Sequence, residues 1–127
     1  MKQLTESDSE FCNQVWAYSD ANSKLFVQSL INTHGGIALC DKVSGRILSF
    51  GIVNDHLAIG ILNTVEQARG KGLAEFIVKH LSHEIAENLN LHPTCFINKK
   101  NVTSMKLFKK IGFSEISDCD WIWVAPE

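Results

Sequence analysis

Glu66-Gln67-Ala68-Arg69-Gly70-Lys71-Gly72-Leu73-Ala74 is the stretch on which the reading of this chain turns. It separates an apolar run at 57–65 from the longest amphipathic pattern in the sequence, at 71–90. Glycines at such a corner let the backbone turn tightly and approach a ligand with no Cβ in the way. The first helical turn beyond it offers unpaired N–H groups and the positive end of the helix dipole. Together these features make a cradle for a phosphate or diphosphate. A Walker A loop would need Gly where Val65 stands and Ser or Thr where Gly72 stands. A dinucleotide fingerprint would need Gly at Glu75, and parallel strands around it. What fits is Arg/Gln-x-x-Gly-x-Gly/Ala, read either as Arg69, Gly72 and Ala74 or as Gln67, Gly70 and Gly72. The plain alternative is a glycine-rich strand–helix corner that binds nothing.

Outward from the loop, the period of the apolar residues sets the elements. Leu73, Ile77, Leu81 and Ile85, flanked by Ala74, Val78 and Leu89, fall on one helical face. Upstream, apolar runs at 37–40, 46–53 and 57–65 are joined by the turns Asp41-Lys42-Val43-Ser44-Gly45 and Asn54-Asp55-His56, which predicts an antiparallel meander. Nearer the start, Ser7 and Glu10 have the spacing of a capping box before Phe11, Val15 and Tyr18. A second amphipathic stretch with Leu25, Phe26, Leu30 and Ile31 stops at His34-Gly35-Gly36. Downstream, Pro93 precedes a short strand at 94–98, a helix at 102–111 closed by Gly112, and strands at 113–118 and 121–125.

The 127 residues suit a single domain, 1–127, since compact domains hold about 100–150 residues. With 45% hydrophobic and 20% charged residues the composition excludes disordered and fibrous classes. No apolar run reaches the ~20 residues of a membrane span, and Met1-Lys2-Gln3-Leu4-Thr5-Glu6 lacks a signal-peptide core. A net charge of −2 argues against a protein built to grip nucleic acid. Cys12, Cys40, Cys95 and Cys119 form no CxxC pair and read as free thiols of a reducing compartment, so a cytoplasmic location is expected.

A second signature joins the loop: Asn101-Val102-Thr103-Ser104-Met105-Lys106-Leu107-Phe108, followed by Ile111-Gly112-Phe113. With it the chain resembles the GNAT superfamily of acyl-CoA N-acyltransferases, whose members carry Asn-x-x-Ala-x-x-Leu-Tyr and a Gly-Phe at these places. Asn13-Gln14-Val15-Trp16-Ala17-Tyr18, residues 43–50 and Trp121-Ile122-Trp123-Val124-Ala125-Pro126 look most like the C-terminal domain of glycine N-acyltransferase-like proteins, whose additional N-terminal half has no counterpart here. The resemblance implies an α/β (α+β) fold: a mixed, mostly antiparallel central sheet flanked by helices and splayed at the strand before the 69–74 loop.

It also implies a site. Backbone groups of Leu62, Asn63 and Thr64, facing the end of 94–98, would pair with the pantetheine arm of an acyl-CoA as an added strand does. The diphosphate would sit on the amides of Gln67, Ala68, Arg69, Gly70, Lys71, Gly72, Leu73 and Ala74, with Asn101 and Phe108 also on the coenzyme side. The implied reaction moves an acetyl or other short acyl group from acyl-CoA, a co-substrate, to a primary amine of a small molecule or a glycine-like amino acid, with no metal. His56, oriented by Asp55, is the candidate base, with a solvated turn as the alternative; Glu66 is the fallback. Phe108 stands where the family often has a Tyr acid, so a silent coenzyme A-binding module is the rival reading and protein or peptide N-acetylation a third. The expected partners are acyl-CoA and a small amine, without nucleic acid or membrane, for a monomer or homodimer.

Other residues read more plainly. His80, His83 and Glu84 fit a solvated helix face and not zinc. Lys99, Lys100, Lys106, Lys109 and Lys110 form a basic face that could instead meet a 3′-phosphate. Trp16, Trp121 and Trp123 suit packing or an acceptor-pocket wall. Asn101-Val102-Thr103 is a sequon without meaning in the cytoplasm.

Overall fold

A computed structural model describes residues 1–120. The chain runs β1 (Lys2–Gln3), a 3-10 turn (Glu6–Asp8), α1 (Ser9–Val15), α2 (Ser23–His34), β2 (Gly36–Cys40), β3 (Ile47–Val53), β4 (Ile59–Thr64), a second 3-10 turn (Glu66–Ala68), α3 (Leu73–Leu89) and α4 (Val102–Ile111). The four strands pair in chain order, each antiparallel to the next.

Side chains alternate across a strand, so each strand feeds two cores. On one face Ala38, Phe50, Ile52 and Ile61 pack under α1 and α2 with Cys12, Val27, Leu30 and Ile31. On the other face Ile37, Val53 and Ile59 pack under α3 and α4 with Ile77, Val78, Leu81, Ile85 and Phe108. This is the mixed α/β architecture anticipated from the sequence, with a four-stranded antiparallel sheet flanked by helices.

The turns follow their side chains. Asp41 Oδ1 accepts from the N–H groups of Val43 (3.0 Å) and Ser44 (2.7 Å), closing the β2–β3 hairpin. Asn54 Oδ1 does the same for His56 (2.9 Å) and Ala58 (3.1 Å) between β3 and β4. α4 occupies the expected span and ends on Gly112, at φ 120°. α3 begins two residues later than expected, because Gly72 sits at φ 77° and cannot be helical; Asn90, at φ 54°, ends it.

Five expectations are corrected. The reciprocal N-terminal bond is made two residues earlier than Ser7 and Glu10: Thr5 N donates to Asp8 Oδ2 at 2.8 Å, and Lys2 Nζ meets the same carboxylate. α1 ends at Val15, so Tyr18 lies beyond it, 66% exposed. In α2 the buried stripe is Val27, Leu30 and Ile31, whereas Leu25 and Phe26 face outward and Phe26 stacks on Trp16 at 6.0 Å. The strand expected at 94–98 is reduced to one parallel bridge, Ile59 with Cys95, anchored by Ile59 N to Thr94 O at 2.8 Å. It goes no further because Asn98 is already turning the chain into α4: its side-chain oxygen accepts from Lys100 N (2.9 Å) and its carbonyl from Asn101 N (2.8 Å). Among the described residues the span 113–118 forms no strand, and 121–125 lies outside them.

Two glycines are fixed by close approach. A Cβ on Gly36 would lie 2.5 Å from the carbonyl oxygen of Gly51, and one on Gly51 would lie 2.7 Å from Ile77 Cγ2 and 2.8 Å from Leu81 Cδ1. The first clash is with backbone, the second with side chains of α3. Gly36→Ala is therefore expected to cost more than Gly51→Ala, each within about 1–3 kcal/mol; urea midpoints at constant m-value measure both, and equal costs or a neutral Gly36→Ala would contradict this packing.

Candidate functional site

The site is built where β4 loses its outer neighbour. Val65 N reaches Leu48 O at 2.9 Å, and Phe50 lies opposite Asn63. Alternation of an antiparallel ladder then commits the peptide groups of Asn63 and Val65 to β3 and turns those of Leu62 and Thr64 to the far side. Beyond the Ile59–Cys95 bridge that far side has no strand beside it among the described residues. β4 is also bulged: two steps on β3, Gly51 to Val53, span three on β4, Leu62 to Ile59. The result is a wedge, closed at Ile59 and open toward Thr64.

The glycine loop lies at the open end. Glu66–Ala68 forms a 3-10 turn in which Ala68 N donates to Val65 O (3.0 Å) and Arg69 N to Glu66 O (3.3 Å). Those two amides, expected in the cradle, are consumed within the loop. Gln67 instead helps to line a groove of about 720 Å³ with Phe11, Arg46 and Ile47. Gly70 and Gly72 follow, both at φ +77° with open space where a Cβ would be. The first internal helical bond is Phe76 N to Gly72 O at 3.1 Å, so the N–H groups of Gly70, Lys71, Gly72, Leu73, Ala74 and Glu75 have no acceptor among the described residues. Arg69 is not a loose cation: its Nε donates to Thr64 O at 3.1 Å and ties the loop to the end of β4.

Charge around this corner is balanced. Glu75, on the first turn of α3, takes Lys79 Nζ at 2.8 Å and Lys110 Nζ at 2.9 Å. Hydrogen bonds from Lys79 and then Lys110 pull its carboxyl from 4.5 down to about 2. Lys110 thus staples α4 to α3, and Lys99 pairs with Asp118 at 2.9 Å. The i, i+4 spacing of Glu75 and Lys79 was visible in the sequence; the Lys110 partner, 35 residues away, was not.

The second signature turns out to be scaffold. Asn101 caps α4, its side-chain oxygen accepting from Ser104 N at 3.1 Å. Phe108 is 4% exposed and meets Phe113 edge-on at 5.0 Å inside the core.

The base candidates sit at opposite ends of β4. His56 lies by the closed end, its Nε2 3.6 Å from Asp55 Oδ1 and its ring 6.2 Å from that of Phe96. Glu66 is exposed at the loop end, where a carboxylate would face the phosphates. Cys95, at the apex, is partly buried, and desolvation pushes its thiol up to about 11. Near neutral pH such a thiol is protonated. Two long-range ties went unread in the sequence: Asn63 Nδ2 to Val15 O (3.4 Å), which holds the end of α1 to β4, and Asn98 Nδ2 to the Tyr18 hydroxyl (3.3 Å). Nothing in local spacing signals either.

Comparison with known proteins fits this geometry. The family model described as FR47-like protein matches residues 36–122, which carry the meander, the loop and both signatures. The chain belongs to the FR47-like family. A structural genomics target from Drosophila superposes with a TM-score of 0.83 at 23% identity over 91% of this chain, which covers only 39% of that protein. An aminoglycoside N-acetyltransferase, AAC(6')-Iy, bound to a coenzyme A bisubstrate analogue, gives 0.74 at 12% identity over 98% of this chain and 96% of its own. A predicted acetyltransferase from Clostridium acetobutylicum with acetyl-CoA gives 0.72 at 14%, over 98% and 94%. A search of curated proteins finds no match. This FR47-like chain therefore has the fold of GNAT acetyltransferases.

The Glu75 cluster yields a sign for acid behaviour. A carboxyl held below its ordinary value contributes stability above 4.5 that disappears as pH falls through about 2. The melting temperature of the wild type minus that of Glu75→Gln should be positive above pH 4.5 and vanish near pH 2; a difference independent of pH would show that the staple carries no ionic contribution.

Proposed function

We propose that the chain is an acyl-CoA-dependent N-acyltransferase that moves an acetyl or other short acyl group to a primary amine of a small molecule, a glycine-like amino acid included. One observation carries the reading: among the described residues the amides from Gly70 to Glu75 have no acceptor, and beside them the outer edge of β4 has no strand partner past the Ile59–Cys95 bridge. Backbone amides at a helix start suit a diphosphate, and an unpaired strand edge suits the amides of pantetheine. A ligand that uses both must carry an anion and an extended amide arm on one chain, which is the chemistry of an acyl-CoA.

With the diphosphate at the open end, the arm runs along Thr64 and Leu62 toward the apex at Ile59 and Cys95. The acceptor then attacks from the neighbourhood of the closed end. Alignment of the two reactants can supply roughly 7–11 kcal/mol at the limit. Cys95 is held as a thiol, which favours direct attack over a covalent relay. His56 is the group we assign to take the amine proton, directly or through water, because it and its Asp55 partner flank that end; Glu66 stands at the wrong end of the strand. The exposure of His56, 55%, favours the rival, a silent coenzyme A-binding module.

Thermal shift separates binding from chemistry. Coenzyme A at a hundredfold excess over Kd should stabilise the fold by about 2.7 kcal/mol, and Gly72→Val, which forces a branched side chain to φ +77°, should lose most of that gain. No shift with acetyl-CoA, longer acyl-CoAs or free coenzyme A ends the proposal. Thiol release from acyl-CoA with a panel of amines then decides activity: binding without release supports the silent module. In an active enzyme His56→Ala should lower kcat about a hundredfold, and a loss of about fivefold or less removes His56 as base.

A further inference from the structure

The groove of about 720 Å³ that Gln67 borders lies apart from the site described above: no residue from 70 to 75 lines it, and neither does Leu62 or Thr64. We propose that it binds an amphipathic carboxylate, an alkyl or aryl chain that ends in a carboxyl group. The chain would lie on Phe11, Ile47, Leu48 and Val65, and the carboxylate on Arg46. The inference goes beyond the acyltransferase reading and does not depend on it.

An irregularity in the sheet shapes the groove. One step on β2, Leu39 to Cys40, spans two on β3, Ser49 to Ile47, so β3 carries an extra residue there. In a regular strand Ile47 and Phe50 would face opposite sides. The extra residue instead brings Ile47 to the face covered by α1 and α2, where it packs against the same core as Phe50. Phe11, on α1, meets Phe50 edge-on at 6.2 Å and forms one wall. Val65 forms another, with its N–H spent on Leu48 O (2.9 Å) and its carbonyl on Ala68 N (3.0 Å). What these walls offer a ligand is apolar side chain.

Charge is confined to the rim. Arg46 is exposed, and among the described residues no carboxylate pairs with it. Asp41 lies on the same rim, but its Oδ1 accepts from Val43 N at 3.0 Å and Ser44 N at 2.7 Å, so it is occupied by the hairpin it closes. A ligand cation would have to share that oxygen with two backbone donors. A ligand anion meets an open guanidinium, whose fork takes a carboxylate through two parallel bonds. The volume falls within the range of small-molecule sites, about 300–1,000 Å³. Apolar walls with one cation at the rim match a chain with one carboxyl end. Two sources share that chemistry: a free fatty acid, and the N-acylated amino acid that the proposed reaction would release.

The test titrates decanoate, N-decanoylglycine, decanol and decylamine into the full chain, with isotope-labelled methyl groups as reporters. At least one carboxylate should bind saturably and shift the methyl signals of Ile47, Leu48 and Val65. Decanol and decylamine should bind at least about tenfold more weakly, and the tighter of the two carboxylates identifies the source. Arg46→Gln should weaken the carboxylates about tenfold and keep the coenzyme-induced thermal shift. Equal affinity for all four compounds, methyl shifts confined to other residues, full affinity in Arg46→Gln, or no saturable binding by either carboxylate would overturn the proposal. None of these results bears on the acyltransferase reading, and a chain that ignores coenzyme A leaves the test of the groove in place.

Discussion

Everything in this molecule's candidate chemistry depends on a strand that stops being paired. β4 holds β3 along its inner side, yet among the described residues its outer side has a strand neighbour only at Ile59. The cause is local: Asn98 spends its side-chain oxygen and its carbonyl on the turn into α4, so the segment after Cys95 leaves the sheet. An isolated edge would invite another chain. Here α3 packs along one face of β4, and Asn63 Nδ2 ties the end of α1 to the strand as well.

The glycine loop completes that constraint. Arg69 fastens it to Thr64, and the two left-handed glycines stop α3 from starting any earlier. Six N–H groups are thereby presented without partners among the described residues. Leaving them so is costly unless water or a ligand takes them, and glycine at 70 and 72 keeps the approach clear. The acidic side chain nearest to them, Glu75, does not spoil the site, since two lysines already neutralise it.

Much of the fold was legible because it is periodic. α3 and α4 carry long helical stripes, and the β2–β3–β4 meander carries turns with Asp41, Gly45 and Asn54 in the places that turn chemistry demands. What misled was periodicity without burial. Leu25 and Phe26 suit an amphipathic helix, but the stripe that meets the sheet is set by Val27, Leu30 and Ile31. Residues 94–98 have strand composition, yet hydrogen bonds from residues beyond them end the ladder after one bridge. The loop's position was readable; which of its amides remain open was not, because that depends on the 3-10 turn at Glu66–Ala68.

The fate of the second signature separates recognition from role. Asn101 and Phe108 helped to identify the fold, and both prove to serve it: one caps α4, the other fills the core beneath β4. A motif can mark a family because the family needs its helix placed, with no atom of the motif touching a ligand. Polar groups also converge from distant segments, as Tyr18 and Asn98 do across 80 residues of sequence. Such a pairing has no spacing to reveal it, and only the closure of the chain brings Asn98 Nδ2 within 3.3 Å of the Tyr18 hydroxyl.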